Sequence, residues 1–365
     1  MRVGIATVYT PGIHGGAEFL VDGLVEAVHK AGHSVQKIAM PFRFEPAEAA
    51  SKSLDQCLAT NYLPYGGGHI DRLICLKFPT YMIPHPDKRV WLLHQHRSAY
   101  DLYGTPYGWA RGHRDTEVLR QRIIDEDQQG LAGKAPGSAR SVYTIAERVS
   151  ARLRHYNNIE SRALYHPPAN AAEFGNKPAL PYIFVPSRLE GLKRQDLMLR
   201  ALAVCKSPVQ AIFAGTGSMQ FHLQQLAHRL GIADRVRFVG AVSRQEMIEL
   251  YAHCSAVFFG PLDEDYGYVT LEAMLSSKPV ITCTDSGGPL EFVLHNETGL
   301  IAEPNAEAIA DALEMVMNDR LRSVELGRNG RTRYDSLGIN WDHVVETLLA
   351  EQIDRGHGLE ARISV

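Results

Sequence analysis

The sequence predicts an α/β protein built as two Rossmann-like domains, each around a parallel sheet. Three observations carry this. Apolar runs of strand length alternate with amphipathic helical segments along nearly the whole chain. The alternation breaks in the proline-bearing stretch from His166 to Pro181 and then restarts. The chain of 365 residues, 45% of them hydrophobic, is large enough for two cores of ordinary size.

Taken in order, Arg2–Val8 reads as a strand, Gly12–Gly16 as a glycine-bearing loop, Ala17–Ala31 as an amphipathic helix stopped by Gly32, and Ser34–Ala39 as the second strand of a βαβ unit. Buried strands are expected at Arg72–Leu76 and Val90–Leu93, and an exposed helix at Asp115–Gln129. Short strands at Ser141–Thr144 and Ser161–Tyr165 flank a helix at Ala146–Tyr156. Pro167, Pro168, Pro178 and Pro181 then mark a linker. Beyond it come strands at Tyr182–Val185, Val209–Ala214, Val236–Val239, Ala256–Phe259 and Val280–Cys283. The helices between and after them lie near Asp196–Cys205, Met219–Leu230, Gln245–His253, Tyr268–Ser276 and Ala306–Met317, and Asn340–Leu349 has the apolar spacing of one more. Repeated βα units imply parallel sheets covered on both faces, with ligands at the carboxyl ends of the strands.

Composition narrows the class. No run of about 18 uncharged apolar residues occurs. Met1-Arg2 passes directly into Val3-Gly4-Ile5-Ala6 with no signal-peptide pattern, so a soluble, cytoplasmic protein is expected. The five cysteines, Cys57, Cys75, Cys205, Cys254 and Cys283, are scattered and form no C-x-x-C, which argues against a disulfide framework or a zinc site. Residues 1–170 carry 20 Lys+Arg against 16 Asp+Glu, and the rest 18 against 25. A surplus of four charges fits an ordinary solvated surface; it also admits weak contact of the first half with the anionic inner face of a membrane or with a phosphorylated acceptor. Nucleic acid is not expected as a partner.

The most informative stretch is Asp263-Glu264-Asp265-Tyr266-Gly267-Tyr268-Val269-Thr270-Leu271-Glu272-Ala273-Met274. Glu264 falls in the loop after a strand, and Gly267 opens a helix whose free N–H groups face that loop and suit a diphosphate. Glu272 is placed to accept from ribose hydroxyls and Glu264 from hydroxyls of a sugar. The same pattern also fits a plain loop-to-helix junction whose acidic residues favour the helix dipole.

Glu264-x7-Glu272 with Ala273-Met274 and Lys278-Pro279-Val280-Ile281 resembles the signature of the retaining GT-B nucleotide-sugar glycosyltransferases of glycosyltransferase family 4. Ser187-Arg188-Leu189 with Lys193-Arg194-Gln195-Asp196 is similar to the family's Arg and Lys pair on the donor diphosphate. Phe213-Ala214-Gly215-Thr216-Gly217 is similar to its glycine turn, and Arg237–Val242 to the segment beside the base. Gly15-Gly16-Ala17-Glu18 resembles its Gly-Gly-x-Glu loop, and Tyr165-His166-Pro167-Pro168 its hinge. His94, better aligned than His96, is similar to the family's active-site histidine.

The resemblance implies a GT-B fold, in which the parallel sheets of the two Rossmann-like domains face an inter-domain cleft, with an acceptor-binding domain (1–168), a linker (169–181), a donor-binding domain (182–335) and a carboxyl-terminal segment (336–365). In that segment a helix crosses back to the first domain, with Asp335–Gly338 as a second hinge strand. It implies transfer of a hexose from a UDP- or GDP-sugar to a glycan or glycolipid in polysaccharide or glycoconjugate biosynthesis, with no metal and no other cofactor. His94, Glu264, Arg188 and Lys193 are the catalytic candidates. Gly15, Gly16, Gly215, Gly217, Val242, Gly267, Tyr268, Val269 and Glu272 are the donor-binding ones.

Two departures stand out. Ser187 replaces a glycine, and Asp265-Tyr266 replaces Pro-Phe or a similar pair, leaving Tyr266 either to reach the sugar or to fill space. A non-catalytic sugar-nucleotide-binding protein of the same fold is the main alternative. The joint presence of Arg188, Lys193, Glu264, Glu272 and His94 favours an enzyme, because fixed cations and N–H donors lower the barrier to losing a diphosphate. A glycan phosphorylase would need a longer chain with a pyridoxal-phosphate lysine. A nucleotide-sugar epimerase lacks the Glu-x7-Glu helix. NAD enzymes need G-x-G-x-x-G spacing that is absent here.

Overall fold

The computed structural model describes residues 1–10, 15–43, 47–60, 69–133 and 137–351. Residues 12–14 of the expected first loop and 352–365 of the expected carboxyl-terminal segment lie outside the described residues.

The first half runs β1 (Arg2–Tyr9), α1 (Gly16–Lys30), β2 (Ser34–Pro41), α2 (Ala47–Ala59), β3 (Arg72–Cys75), β4 (Lys88–Leu92), α3 (Arg114–Leu131), β5 (Ser141–Thr144), α4 (Glu147–Asn157) and β6 (Arg162–Ala163). Its six strands form a parallel sheet in the order β2-β1-β3-β4-β5-β6. The second half runs β7 (Tyr182–Pro186), α5 (Gln195–Val204), β8 (Gln210–Ala214), α6 (Gln220–Arg229), β9 (Val236–Gly240), α7 (Arg244–His253) and β10 (Ala256–Phe258). It continues with α8 (Tyr268–Leu275), β11 (Val280–Cys283), α9 (Pro289–Phe292), β12 (Gly299–Ala302), α10 (Ala306–Asn318), α11 (Arg320–Ser336) and α12 (Trp341–Leu349). Its sheet is also parallel, in the order β12-β11-β10-β7-β8-β9.

Strand order decides where a ligand binds. The order reverses between β1 and β3 in the first sheet and between β7 and β10 in the second, so the loops leaving those strands diverge and open a crevice. The Gly15-Gly16 turn follows β1. The Arg188–Lys193 segment follows β7, and Asp263–Asp265 follows β10.

Packing does not divide as one core per sheet. One apolar cluster runs from Ile5, Leu24, Ile74 and Trp91 in the first lobe through Tyr266, Leu271 and Phe292 to Val257 in the second sheet. A second cluster covers the other face of that sheet, around Phe213, Leu199 and Leu313. The bridge is aromatic: His166 stacks on Tyr266 at 4.4 Å and 12°, and Trp91 meets His166 edge-on at 5.2 Å.

The expected hinge strand at Asp335–Gly338 is corrected. α11 continues through Ser336, the Leu337 N–H bonds back to Arg333 O at 3.1 Å, and Gly338 turns the chain at φ 61°. Helical hydrogen bonds satisfy this backbone within its own segment, which leaves a strand nothing to add. α12 then opens on Asn340, whose side-chain oxygen accepts from His343 N at 2.8 Å. It packs on α1: a Cβ at Gly23 would come within 2.3 Å of the Trp341 ring. Its end is fixed by Arg72, which donates to Ala350 O at 3.1 Å and pairs with Asp87 at 2.8 Å.

Candidate active site

Two elements of the second lobe build the wall of the site. The segment after β7 is shaped by glycines: a Cβ at Gly215 would stand 2.0 Å from Ser187 O, and one at Gly217 2.2 Å from Leu189 O. Only glycine lets the β8 turn lie flat on the backbone that carries Arg188. Ser187 accepts from Gln195 Nε2 at 2.7 Å, so the serine that replaces a glycine anchors this loop to α5. Arg188 extends into solvent and pairs with Glu190 at 2.6 Å. Lys193, with only 15% of its side chain exposed, bonds Glu264.

The loop after β10 is pinned by backbone bonds from Asp263 N to Asp285 O (3.0 Å), Glu264 N to Ser286 O (2.9 Å) and Gly288 N to Glu264 O (2.8 Å). Gly267, at φ 87°, is the N-cap of α8, so that helix begins where the loop ends. Glu272 accepts from the Tyr251 hydroxyl at 2.7 Å and lies 3.7 Å from Arg244. Burial pushes its carboxyl up, against the pull of both partners. Val242 follows β9 and packs against the first cluster, and Val269 in α8 does the same.

The first lobe closes the other side. Gly15 N donates to the Glu18 carboxylate at 2.9 Å at the start of α1, and Glu18 faces Lys77 at 3.7 Å. Gly16 sits under the Tyr268 ring, where a Cβ would meet ring carbons at 3.0 Å. Tyr268 shares a 2.6 Å hydrogen bond with His166, which makes it part of the joint between the lobes. Tyr266 has the same role: its hydroxyl donates to His166 O at 2.6 Å and accepts from His166 N at 3.0 Å. Of the two readings, space-filling is the one that holds, with a backbone clamp added.

His94 Nδ1 donates to Gln95 O at 2.7 Å. That bond fixes the tautomer and leaves Nε2 as an acceptor. Burial holds the imidazole below its ordinary value against the opposing charge of Asp265, so it is neutral at pH 7. His96 is buried among Phe42, Phe78 and Trp109, which makes it a packing residue.

Asp127, a residue the sequence did not single out, lies fully buried under the His94 loop and accepts from Tyr81 (2.8 Å) and Tyr100 (2.7 Å). Burial raises its carboxyl to about 7 in spite of both bonds. A carboxyl raised in the folded state keeps a proton that the unfolded chain has released, so it contributes stability at low pH that is lost as the pH rises toward 7. Asp127→Asn removes this. Its stability relative to the parent should fall by on the order of 2 kcal/mol between pH 7 and pH 5. Urea unfolding at the two pH values checks this, and a pH-independent difference would refute it. His96 and His166, which burial lowers to about 4 and about 3, act on both chains and cancel.

Residues 168–333 match the family model described as glycosyl transferases group 1. The match falls on the second lobe and covers less than half of the chain. The matched segment holds Arg188, Lys193, Glu264 and Glu272, while Gly15, Gly16 and His94 lie outside it. The GDP-mannose-dependent alpha-(1-6)-phosphatidylinositol monomannoside mannosyltransferase of Mycobacterium tuberculosis is 33% identical over 208 residues, covering 53% of this chain and 52% of its own. The alpha-1,3/1,6-mannosyltransferase ALG2 of Dictyostelium discoideum is 33% identical over 136 residues, 35% of this chain and 32% of its own. The chain thus spans a third to about half the length of these curated relatives.

Among solved structures, sucrose-phosphate synthase from Thermosynechococcus elongatus superposes with a TM-score of 0.75 at 19% identity, covering 95% of this chain and 97% of its own. Anabaena HepE in complex with UDP and glucose gives 0.68 at 16%, also over 95% and 97%. These likenesses show the fold, and it is GT-B. Among the described residues no helix is long and apolar enough to cross a membrane, and no group of three His, Cys, Asp or Glu is placed to hold a metal ion.

Proposed function

We propose that the chain is a retaining glycosyltransferase moving a hexose from a nucleoside-diphosphate sugar to a glycan or lipid-linked acceptor, with the first lobe binding acceptor and the second binding donor. One observation carries the reading furthest: Lys193 and Glu264 meet at the switch point of the second lobe's sheet, beside the N-terminus of α8 opened by Gly267. In this reading Arg188 and Lys193 take the charge that develops on the departing diphosphate, together with the α8 N–H groups. Glu272 holds the ribose and Glu264 the sugar hydroxyls. His94, neutral and with Nε2 as acceptor, takes a hydroxyl of the donor sugar. Gly16 keeps the opposite wall close. The departing phosphate accepts the acceptor's proton on the face it leaves, so the anomeric configuration is kept.

The mannosyltransferase names of relatives make GDP-linked mannose the first donor to try, followed by UDP-sugars. Transfer in the synthesis of cell-surface polysaccharide or glycoconjugate, with weak membrane contact through the first lobe, completes the proposal.

The test is release of nucleoside diphosphate on incubation with candidate donors and acceptors, with nuclear magnetic resonance of the product. The expected result is release that needs acceptor and a product with the donor's anomeric configuration. Glu264→Ala and His94→Ala should slow transfer, and Glu272→Ala and Arg188→Ala should weaken donor binding. Binding without release would identify a sugar-nucleotide-binding protein, and an inverted anomeric centre would overturn the stereochemical assignment.

A further inference from the structure

Glu264 is flanked by two aspartates, and both are held from the opposite lobe. Arg152 of α4 donates through Nη1 to the Asp265 carboxylate at 2.5 Å and through Nη2 to the Asp263 carbonyl at 3.2 Å. One guanidinium therefore spans the residue between them. Arg148, one turn earlier on α4, donates to the other side of Asp263 at 2.5 Å. Arg97, braced by Asp101 at 2.6 and 2.8 Å, stands 3.7 Å from Asp263 and 3.8 Å from Asp265.

This is no solvated surface pair. Only 6% of the Arg152 side chain and 17% of that of Asp265 are exposed, so each charge depends on the other for its solvation. Burial alone would lift the Asp265 carboxyl, but Arg152 and Arg97 hold it well below the ordinary carboxylate range. The same interface is bonded from the other direction: Glu291 of the second lobe accepts from Glu147 N at 2.9 Å and Arg148 N at 2.7 Å, capping α4 across the cleft.

We infer that Arg152 is a positioning residue for transfer: bonded from the opposite lobe to both neighbours of Glu264, it completes the setting of the Glu264 carboxylate against Lys193 that the loop's own backbone bonds begin. The inference rests on the function proposed above and adds to it the means by which lobe contact and the reacting loop are coupled. The guanidinium fork matters, because it reaches Asp263 and Asp265 through two separate nitrogens held in one plane, which the single nitrogen of an ammonium does not reproduce.

The experiment is a double-mutant cycle on the full chain with Arg152→Gln and Glu264→Ala, read by kcat, KM and direct binding of the nucleoside diphosphate. Arg152→Gln should lower kcat by roughly 10- to 100-fold while leaving diphosphate affinity within about twofold, since displacing a reacting group by a fraction of a bond length has that effect. Arg152→Lys should recover only part of the loss. In the Glu264→Ala background Arg152→Gln should cost little more, because its route of action is already gone. Equal loss in both backgrounds, or an unchanged kcat in Arg152→Gln, would overturn the inference. If Arg152→Gln does not fold, Asp265→Asn enters the same cycle from the second lobe with the same expectations.

Hydrogen exchange of residues 262–266 gives a readout independent of activity. Arg152→Gln should speed exchange there about tenfold and leave β7 and β8 unchanged. A chain inert with every sugar nucleotide but showing this local change refutes the proposed function alone. An active chain whose 262–266 exchange does not respond refutes the positioning role alone.

Discussion

Lys193→Ala should lower the transfer rate by roughly 100- to 1,000-fold, with a much smaller effect on KM for the donor. Breaking the anomeric bond delivers negative charge to the diphosphate, and a fixed cation there is worth more in the transition state than in the bound substrate. Lys193 suits that task. Its ammonium is largely shielded, bonded to Glu264 and 5.7 Å from the centre of the Phe259 ring, so little solvent reorganises as charge develops. Arg188, half exposed and paired with its neighbour Glu190, should show a smaller rate effect and a larger effect on binding. Steady-state kinetics of Lys193→Ala, Lys193→Arg and Glu264→Ala decide the matter. A Lys193→Ala enzyme of unchanged kcat would remove the lysine from the leaving-group site.

Gly215→Ala should destabilise the second lobe by roughly 3 kcal/mol, combining overpacking with strain at a backbone angle that side chains avoid. Gly215 has φ 132°, and its missing Cβ would lie 2.0 Å from Ser187 O, a backbone atom that cannot swing away. Relief would have to come from moving Ser187 and Arg188, so weakened donor binding should accompany the loss of stability. Ala substitution at Gly231, which has open space around it at φ 68°, isolates the backbone contribution. Denaturant unfolding of both variants gives the comparison. Equal effects at the two positions would show that the Ser187 contact has no role.

Much of the fold is legible in the sequence because the strands are short continuous apolar runs between helices of ordinary polarity. β7 is of this kind, and β8 and β11 depart from it by one polar residue each, Gln210 and Thr282. What is not legible has physical reasons. α11 is polar and carries Gly327 and Gly330, which read as breakers. Gly327 is there because its helix lies against the Ser277 backbone, where a Cβ would come within 2.1 Å of the carbonyl. α2 has only small residues and scattered leucines to mark its buried face, and β12 is four residues long.

The site divides the same way. Lys193, Glu264 and Glu272 are visible as charges at loop and helix positions after predicted strands. Arg148 and Arg152 are visible as an i,i+4 pair on one face of a predicted helix, but their partners at Asp263 and Asp265 lie over a hundred positions away. Nothing local connects them. Asp127 sits in a helix read as exposed, and only the tertiary fold buries it.

The return of α12 to the first lobe has a consequence for how the protein is made. Trp341 fills the notch over Gly23 and meets Trp91 edge-on, yet it is translated after the whole second sheet. The first lobe leaves the ribosome with that notch open and its β3–β4 arginines without the Ala350 carbonyl they hold in the finished chain. It cannot be completed before its neighbour is synthesised, so the usual order of amino-terminal unit first does not fully apply. The flank of α1 over Gly23 then stays uncovered until synthesis is nearly finished, and a chain halted before Trp341 never gains that cover.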